Sequence, residues 1–499
     1  MKLSQLLSLL GFPVRGISEE IDIGGIRVDS REVQPGDLFV ALPGARVDGH
    51  DFLDAAAGAG AAAALVDRDI PSPALPVFRV PSTFDALCNA AVAFYGDPSA
   101  RLRVAGITGT NGKTTTTYLL EGILRAEGKI PAVMGTIDYR IGEKVLLKGL
   151  TTPFPQDLQA VMSKALAEGA TDLLMEVSSH SVAQGRIRGV RFDVGIFTNL
   201  TRDHLDFHGD MESYFQAKAR FFREYLPAGG KQTGIALNGD DPYGERLARE
   251  FPCALTFGFS RKCKVFPLEM EMSWEGCRMT LSTPAGPLSL RSRLIGAHNV
   301  FNIMSAVSGA LLLSTAREAI ASGIESVRSI PGRLEPIEND RGLHIFVDYA
   351  HTPDGMDRVL TTLRGLSDTR VFTVFGCGGN RDRGKRFEMG RIAALRSDVI
   401  VVTSDNPRNE DPDAIIAEIL PGLASEGFVE AHGPVEWDKG FYLAVNDRRK
   451  AIAAALSLAN EGDVVAIVGK GHENVQIFRD QRLPFDDREV VRDVLVQGG

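Results

Sequence analysis

The chain lacks several things that would have assigned it to other classes. Nowhere does it carry an apolar run near the ~20 residues that a membrane-spanning helix needs, so no such span is expected. Its five cysteines (Cys88, Cys253, Cys263, Cys277, Cys377) are scattered with no Cys-x-x-Cys pair. That spacing offers neither a metal clip nor a redox pair, and it fits reduced thiols in a cytoplasm. Positive charge is also short: 55 Lys and Arg stand against 64 Asp and Glu, a formal net charge of -9. Broad phosphate neutralisation, the usual basis of nucleic-acid binding, is therefore not expected, and any anionic ligand must be held locally. The Leu-rich start, residues 1–10, is interrupted by Ser4, Gln5 and Ser8 and is followed by no small-residue cleavage site. It reads as an amphipathic first helix of an unexported, cytoplasmic protein.

What is present is a soluble globular profile, with 44% hydrophobic and 24% charged residues over 499 positions. That length predicts three domains, because single cores rarely grow much beyond ~300 residues. The first break is placed in the turn-rich Tyr95-Gly96-Asp97-Pro98-Ser99 and the second at Ile330-Pro331-Gly332-Arg333. The expected domains are 1–98, 99–331 and 332–499. Unbroken apolar runs recur in the two later ones: Val104 to Ile107, Leu173 to Met175, Val371 to Phe375, Val399 to Val402 and Val464 to Val468. Such runs, separated by helical patterns, read as parallel strands buried on both faces, hence α/β architecture. No repeat of fixed period is visible, and the alanine-rich stretch from Ala55 to Ala64 reads as helix. Nearly every unusual polar cluster begins where one of these strands ends, which is where open α/β sheets bind ligands.

The first cluster is Gly106-Ile107-Thr108-Gly109-Thr110-Asn111-Gly112-Lys113-Thr114-Thr115, which follows a strand pattern and opens a helix with Leu119, Leu120, Ile123 and Leu124 on one face. Glycines let backbone N–H groups turn toward an anion, Lys113 can reach terminal phosphates, and the Thr114 hydroxyl suits Mg²⁺. The strict pattern wants Gly at 107, where this chain has Ile, so the loop is a variant one. It predicts nucleoside triphosphate binding without choosing a reaction. Downstream, Glu176-Val177-Ser178-Ser179-His180 and Asn199-Leu200-Thr201-Arg202-Asp203-His204-Leu205-Asp206-Phe207-His208 bring carboxylates and imidazoles. Glu176 is a candidate Mg²⁺ ligand, with His204 a second. His204 and His208 have the spacing of a zinc helix, but the Glu expected directly after the first His is missing.

Together with Gly296-Ala297-His298-Asn299-Val300-Phe301-Asn302 and Asp348-Tyr349-Ala350-His351-Thr352-Pro353, these motifs resemble, in order and over the whole chain, the Mur ligase family of peptidoglycan synthesis. The resemblance implies a three-domain α/β fold: a small amino-terminal UDP-binding domain, a central phosphate-loop ATPase domain with a parallel sheet, and a Rossmann-like carboxyl-terminal domain. It implies ATP bound by Gly109, Thr110, Asn111, Gly112, Lys113, Thr114 and Thr115, with Asn299, Asn302, Arg333 and Asp348 around it. A carboxylate then attacks the γ-phosphate, and an amine meets the resulting acyl phosphate. It further implies Mg²⁺ on Thr114, Glu176, His204 and Lys218. Lys218 would be carbamylated, a reasonable chemistry because a desolvated lysine loses its proton more easily. Lys113, Lys218, His204 and Glu176 form the expected catalytic set.

The stretch from Arg27 to Ala41 resembles the family's UDP-sugar domain, with Val28 and Ser30 as expected contacts. Thr151, Thr152, Ser178, Gln184 and Arg186 resemble residues that hold UDP-N-acetylmuramoyl-L-alanyl-D-glutamate. The loops carrying Arg381, Asp405-Asn406-Pro407-Arg408 and Gly469-Lys470-Gly471-His472-Glu473 resemble the amino-acid pocket of the enzyme that adds the third residue. Arg408 favours meso-2,6-diaminopimelate over lysine, because a guanidinium pairs with a carboxylate and repels an ammonium. Asp405, Glu473 and the Gly469 carbonyl are expected at the distal ammonium, and Arg381 at a carboxylate. The expected partners are small molecules alone, with no nucleic acid and no membrane, and the chain acts as a monomer. Three other readings stay open at this point: the lysine-adding enzyme of the family, a folylpolyglutamate synthetase-like ligase, and a nucleotide-driven switch.

Overall fold

The computed structural model describes residues 1–12, 21–44, 47–71, 73–147, 149–431 and 440–497. The chain divides into two compact units, one made of Met1–Thr108, Gly128–Ile196 and Gln216–Ile235, the other of Gly109–Glu127, Phe197–Phe215 and Ala236–Gly499. The architecture is α/β with parallel sheets, as expected. Among the described residues no helix is long and apolar enough to cross a membrane.

In the first unit, Ile26–Arg27, Leu38–Val40, Ala63–Val66 and Val77–Arg79 form a four-stranded parallel sheet in that order. Side chains alternate across a strand, so Leu38 and Val40 face the helices Leu3–Leu9 and Thr83–Tyr95, while Phe39 and Ala41 face Leu53 and Ala56 on the other side. The amphipathic first helix is thus present. The alanine-rich stretch is not one helix: it is helical only over Leu53–Gly58, turns at Gly60 with φ +95°, and continues as a strand from Ala63. Alanine's helix propensity gives way there because Ala63, Ala64 and Leu65 are fully buried and pair with Leu38, Phe39 and Val40.

The same unit holds Arg103–Thr108, Asp172–Glu176 and Pro131–Met134, paired in parallel in that order and extended antiparallel by Tyr139–Ile141 and Lys144–Leu147. Gly106 lets the aromatic floor approach, because a Cβ there would lie 2.6 Å from the Phe221 ring and 2.9 Å from Phe192. Ile107, where the strict phosphate-loop pattern wants glycine, is a buried strand residue, so the loop proper begins only after Thr108.

In the second unit, helix Lys113–Ala126 buries Leu119, Leu120, Ile123 and Leu124 and packs on helix Arg317–Ser326 at Gly122 and Gly323. Phe266–Ser273, Gly276–Ser282 and Leu288–Ser292 form an antiparallel meander. The carboxyl-terminal sheet has the order Glu335–Ile337, His344–Asp348, Val464–Val468, Val371–Phe375, Val399–Val402, Phe441–Ala444, Val429–Glu430, parallel except for its first strand. Its central strands are buried on both faces, under Met356, Leu360, Met389 and Ile419 on one side and Ala451, Ile452 and Val491 on the other. The unbroken apolar runs follow from that double burial.

Candidate active site

The phosphate loop is shaped by its glycines. Gly109 has φ +154° and Gly112 φ +85°, and a Cβ at the first would strike Thr198 Oγ1 while one at the second would strike Asn302 Oδ1. A strand-end segment holds the loop in place. Thr110 N donates to Asn199 O (2.9 Å), Asn111 N donates to Asn199 Oδ1 (2.9 Å), and Thr198 Oγ1 donates to Asn111 O (2.6 Å). The Asn111 amide also donates to Asp354 Oδ2 at 2.9 Å. Lys113 Nζ folds back over the loop, donating to Gly109 O (3.0 Å) and Thr110 O (2.9 Å).

A cavity of about 380 Å³ opens against this loop, lined by Asn111, Gly112, Thr114 and Thr115 and by the expected Asn299, Asn302, Arg333 and Asp348. Asn302 donates to Asn299 Oδ1 (3.0 Å), and Arg333 Nη2 donates to Thr114 Oγ1 (3.3 Å) while its guanidinium lies 4.8 Å from the Tyr349 ring centre. Asp348 accepts from Leu334 N (2.6 Å) and Ala350 N (2.7 Å); burial raises its pKa against the pull of Arg333 and those amides. The residues predicted around the nucleotide therefore converge. Tyr349 and His351, quoted in the sequence only as parts of a motif, line the same cavity, as do Asp240 and Phe257, which sequence reasoning did not name.

Near it, Asp203 is raised by burial but lowered more by His204, His351 and Lys113, leaving its carboxyl below the usual range. His204 has φ +54° and caps the four-residue helix Leu205–His208. His208 stacks on Tyr214 at 4.9 Å, whereas His204 meets that ring edge-on at 6.1 Å.

In the first unit, Glu176 ends its strand with 1% exposure, its carboxylate accepting from Thr136 N (3.1 Å) and Thr136 Oγ1 (2.8 Å). Thr151, Thr152, Ser178 and Arg186 are brought together: Thr136 Oγ1 contacts Thr151 Oγ1 (3.1 Å), Ser178 N donates to Thr152 Oγ1 (3.1 Å), and Arg186 Nη1 donates to Thr152 O (3.2 Å). Arg186 lies 4.4 Å over the Phe154 ring, its Nε is buried without a partner among the described residues, and burial lowers its pKa. Gln184 caps helix Ser179–Ala183 and is exposed. Val28 follows the first strand, and Ser30 opens a turn capped by Asp29; no contact ties either to the Thr152 cluster among the described residues. Lys218 is 1% exposed, on helix Met211–Arg220 beside the buried Phe215 and Phe221.

The remaining cluster lies at the carboxyl ends of three adjacent parallel strands in the second unit. Gly379 N donates to Asn406 O (2.9 Å), and Arg408 Nη1 donates to Gly379 O (2.8 Å). Arg408 has φ +53°, and its backbone is clamped by Ile477 O (3.0 Å) and Arg479 N (2.7 Å). Burial, then exposed Arg381, lower its pKa, while Asp405 and Glu473 oppose them. A Cβ on Gly469 would lie 2.7 Å from Asp405 Oδ2. Pro407 is buried between these loops. Behind the cluster, Arg448 pairs with Asp487 (2.7 Å), both side chains 0% exposed, and donates to Val468 O (3.1 Å). Neither member of that pair carried a motif that could have flagged it.

Comparison with known proteins agrees with this layout. Residues 22–84 match the Mur ligase family catalytic domain, 107–310 the Mur ligase middle domain and 332–471 the Mur ligase glutamate ligase domain. A UDP-N-acetylmuramoyl-L-alanyl-D-glutamate--2,6-diaminopimelate ligase of Geobacter metallireducens is 46% identical, covering 98% of each chain; one of Gloeobacter violaceus is 43% identical over 99% of this chain and 98% of its own. A solved structure of a ligase of that name superposes with TM-score 0.69 at 29% identity, covering 100% of this chain and 99% of the other. A MurF ligase from Thermotoga maritima in complex with ADP, 19% identical with TM-score 0.65 over 97% and 100%, shares the fold. From phosphate loop to carboxyl-terminal sheet, the chain belongs to the Mur ligase family of ATP-dependent, amide-bond-forming ligases.

Proposed function

We propose that this chain joins meso-2,6-diaminopimelate to UDP-N-acetylmuramoyl-L-alanyl-D-glutamate, converting ATP to ADP and phosphate, in peptidoglycan precursor synthesis. The observation that carries the choice of amine is Arg408, pinned in a left-handed conformation beside Asp405 and Glu473. A fixed guanidinium among carboxylates suits a distal group that holds both a carboxylate and an ammonium. The names of the relatives point the same way. The folylpolyglutamate reading is not favoured: such a synthase aligns over only 77% of this chain, at 18% identity. On this proposal residues 1–98 bind the UDP-sugar, 99–331 bind ATP and 332–499 bind the amine.

The nucleotide fits the residues present, because the cavity beside the loop is lined by Asn111, Gly112, Thr114 and Thr115 and opens on Asn299, Asn302, Arg333 and Asp348. Lys113 exchanges its two loop carbonyls for the terminal phosphates and offsets charge as the phosphoryl group moves. A carboxylate oxygen of the D-glutamyl residue bonds to the γ-phosphorus as the bond to ADP breaks. The amine nitrogen then bonds to the acyl carbon, phosphate leaves, and the nitrogen gives up a proton. Thr152, Ser178 and Arg186 orient the acceptor, with Val28, Ser30 and Gln184 along the rest of it. Thr114 and Glu176 each offer oxygen donors of the kind Mg²⁺ takes, and His204 and a carbamylated Lys218 would be further candidate ligands; when bound, the metal would neutralise phosphate charge. The burial of Lys218 supports carbamylation, since desolvation favours the neutral amine that adds CO₂.

The test is phosphate release with the UDP-linked dipeptide and meso-diaminopimelate, L-lysine or no amine. Release should require the acceptor and an amine, with diaminopimelate preferred. Preference for lysine would overturn the choice of amine, and release without an acceptor would point to a switch.

A further inference from the structure

The amine pocket holds a buried cation that no substrate contact explains. Lys470 is 0% exposed, and its Nζ donates to Val475 O (2.6 Å), Glu473 Oε2 (3.1 Å) and Asn406 Oδ1 (3.3 Å). Three acceptors use all three of its protons, so the ammonium has none left for a ligand. Glu473 Oε2 takes a second hydrogen bond from Asn406 Nδ2 (2.8 Å), while among the described residues nothing donates to Oε1. The carboxylate, 30% exposed, thus turns one engaged oxygen to the protein and offers one to the pocket.

The charges here matter more than the contacts. Asp405 and Glu473 stand with Arg381 and Arg408, two of each sign, before Lys470 is counted. Arg448 does not change the balance because Asp487 neutralises it. Added to these four groups, Lys470 brings one positive charge in excess. The distal end of diaminopimelate is a zwitterion with no net charge, whereas that of lysine is a lone cation. A buried positive charge costs the zwitterion little and the cation much.

We infer that Lys470 is a specificity-determining residue, holding Glu473 in place while its charge excludes amines with an uncompensated distal cation. The inference rests on the amine pocket proposed above. Without Lys470 the remaining four charges balance, Glu473 loses its partner, and lysine gains relative to diaminopimelate. The residue acts through Glu473 and the pocket's potential; it touches no reacting atom.

The experiment measures kcat and KM for both amines with native chain, Lys470→Met and Lys470→Arg, with melting curves to show that each is folded. Lys470→Met should lower the diaminopimelate-to-lysine ratio of kcat/KM by about tenfold, mainly through KM, and Lys470→Arg should retain most of it. An equal fall for both amines in folded Lys470→Met would mark a merely structural residue and overturn the inference. Should Lys470→Met not fold, Glu473→Gln decides: it leaves Lys470 unopposed, so lysine should lose more than diaminopimelate, and the reverse or no difference overturns the inference. Failure of the pocket reading looks different, since the native chain itself would then not prefer diaminopimelate.

Discussion

Replacing Lys113 by alanine separates folding from chemistry. In the resting loop the ammonium donates to Gly109 O at 3.0 Å and to Thr110 O at 2.9 Å, from a partly buried position. Each is worth about 1 kcal/mol net, and alanine in the first helical turn returns a few tenths. The loop keeps its anchors on Asn199 and Thr198, which do not involve the lysine. Loss of these two bonds should lower stability by about 2 kcal/mol. The rate should respond on another scale, because a cation aimed at a transferring phosphoryl group is worth about 10³–10⁵ in turnover. That corresponds to about 4–7 kcal/mol of barrier. Tripeptide product formed from ATP, the UDP-linked dipeptide and diaminopimelate, measured beside a melting curve, gives both numbers. Product within tenfold of the native rate from folded Lys113→Ala would refute the assignment of the loop.

Arg408→Ala should raise KM for diaminopimelate by about tenfold to a hundredfold, the loss expected for hydrogen bonds to a charged group, and narrow the preference over lysine. Initial rates with both amines check it, and an unchanged preference rejects the role. Lys218→Ala should abolish activity and regain part of it with a small added carboxylate; full activity without rescue would remove the carbamylation proposal. For pH, burial and then Arg358 lower His298 from 6.5 to about 4. A folded-state pKa below the unfolded one favours the folded state fully above pH 6.5 and progressively less as pH falls toward 4. Between pH 7 and 5 His298 should account for about 1–2 kcal/mol of lost stability, so melting curves of His298→Gln should fall less steeply over that range than those of the native chain.

The elements legible in the sequence were those whose pattern is local. The runs at 371–375, 399–402 and 464–468 are strands because double burial leaves no room for polar alternation, and the phosphate loop was readable because its glycines are required by backbone angles. The alanine run misled for the same reason: helix propensity is a local preference, and pairing with Leu38–Val40 decides the second half of that stretch. The meander over 266–292 announces itself weakly, since its edge strand Phe266–Ser273 is largely exposed and carries no apolar run. Asn299, Asn302, Arg333 and Asp348, expected around the nucleotide, share one cavity although only motif order linked them beforehand.

Burial is what a sequence conceals most. Lys218 lies in an aromatic stretch and Lys470 in a glycine-rich one, and neither pattern says how buried the ammonium is, yet both are at most 1% exposed. Two buried ammonium groups cannot be ordinary solvated charges, and their surroundings determine what each can do. Lys470 has three acceptors, two of them side-chain oxygens of the proposed amine pocket, and on the inference drawn above it is an electrostatic element of selection. Lys218 is buried on helix Met211–Arg220, and desolvation of a lysine would favour the neutral nucleophile that the proposed carbamylation needs. The same residue type would thus serve opposite ends of one reaction, one lysine as a permanent cation and the other as a carboxylate once modified. Charge at each position follows from neighbours that lie far away along the chain.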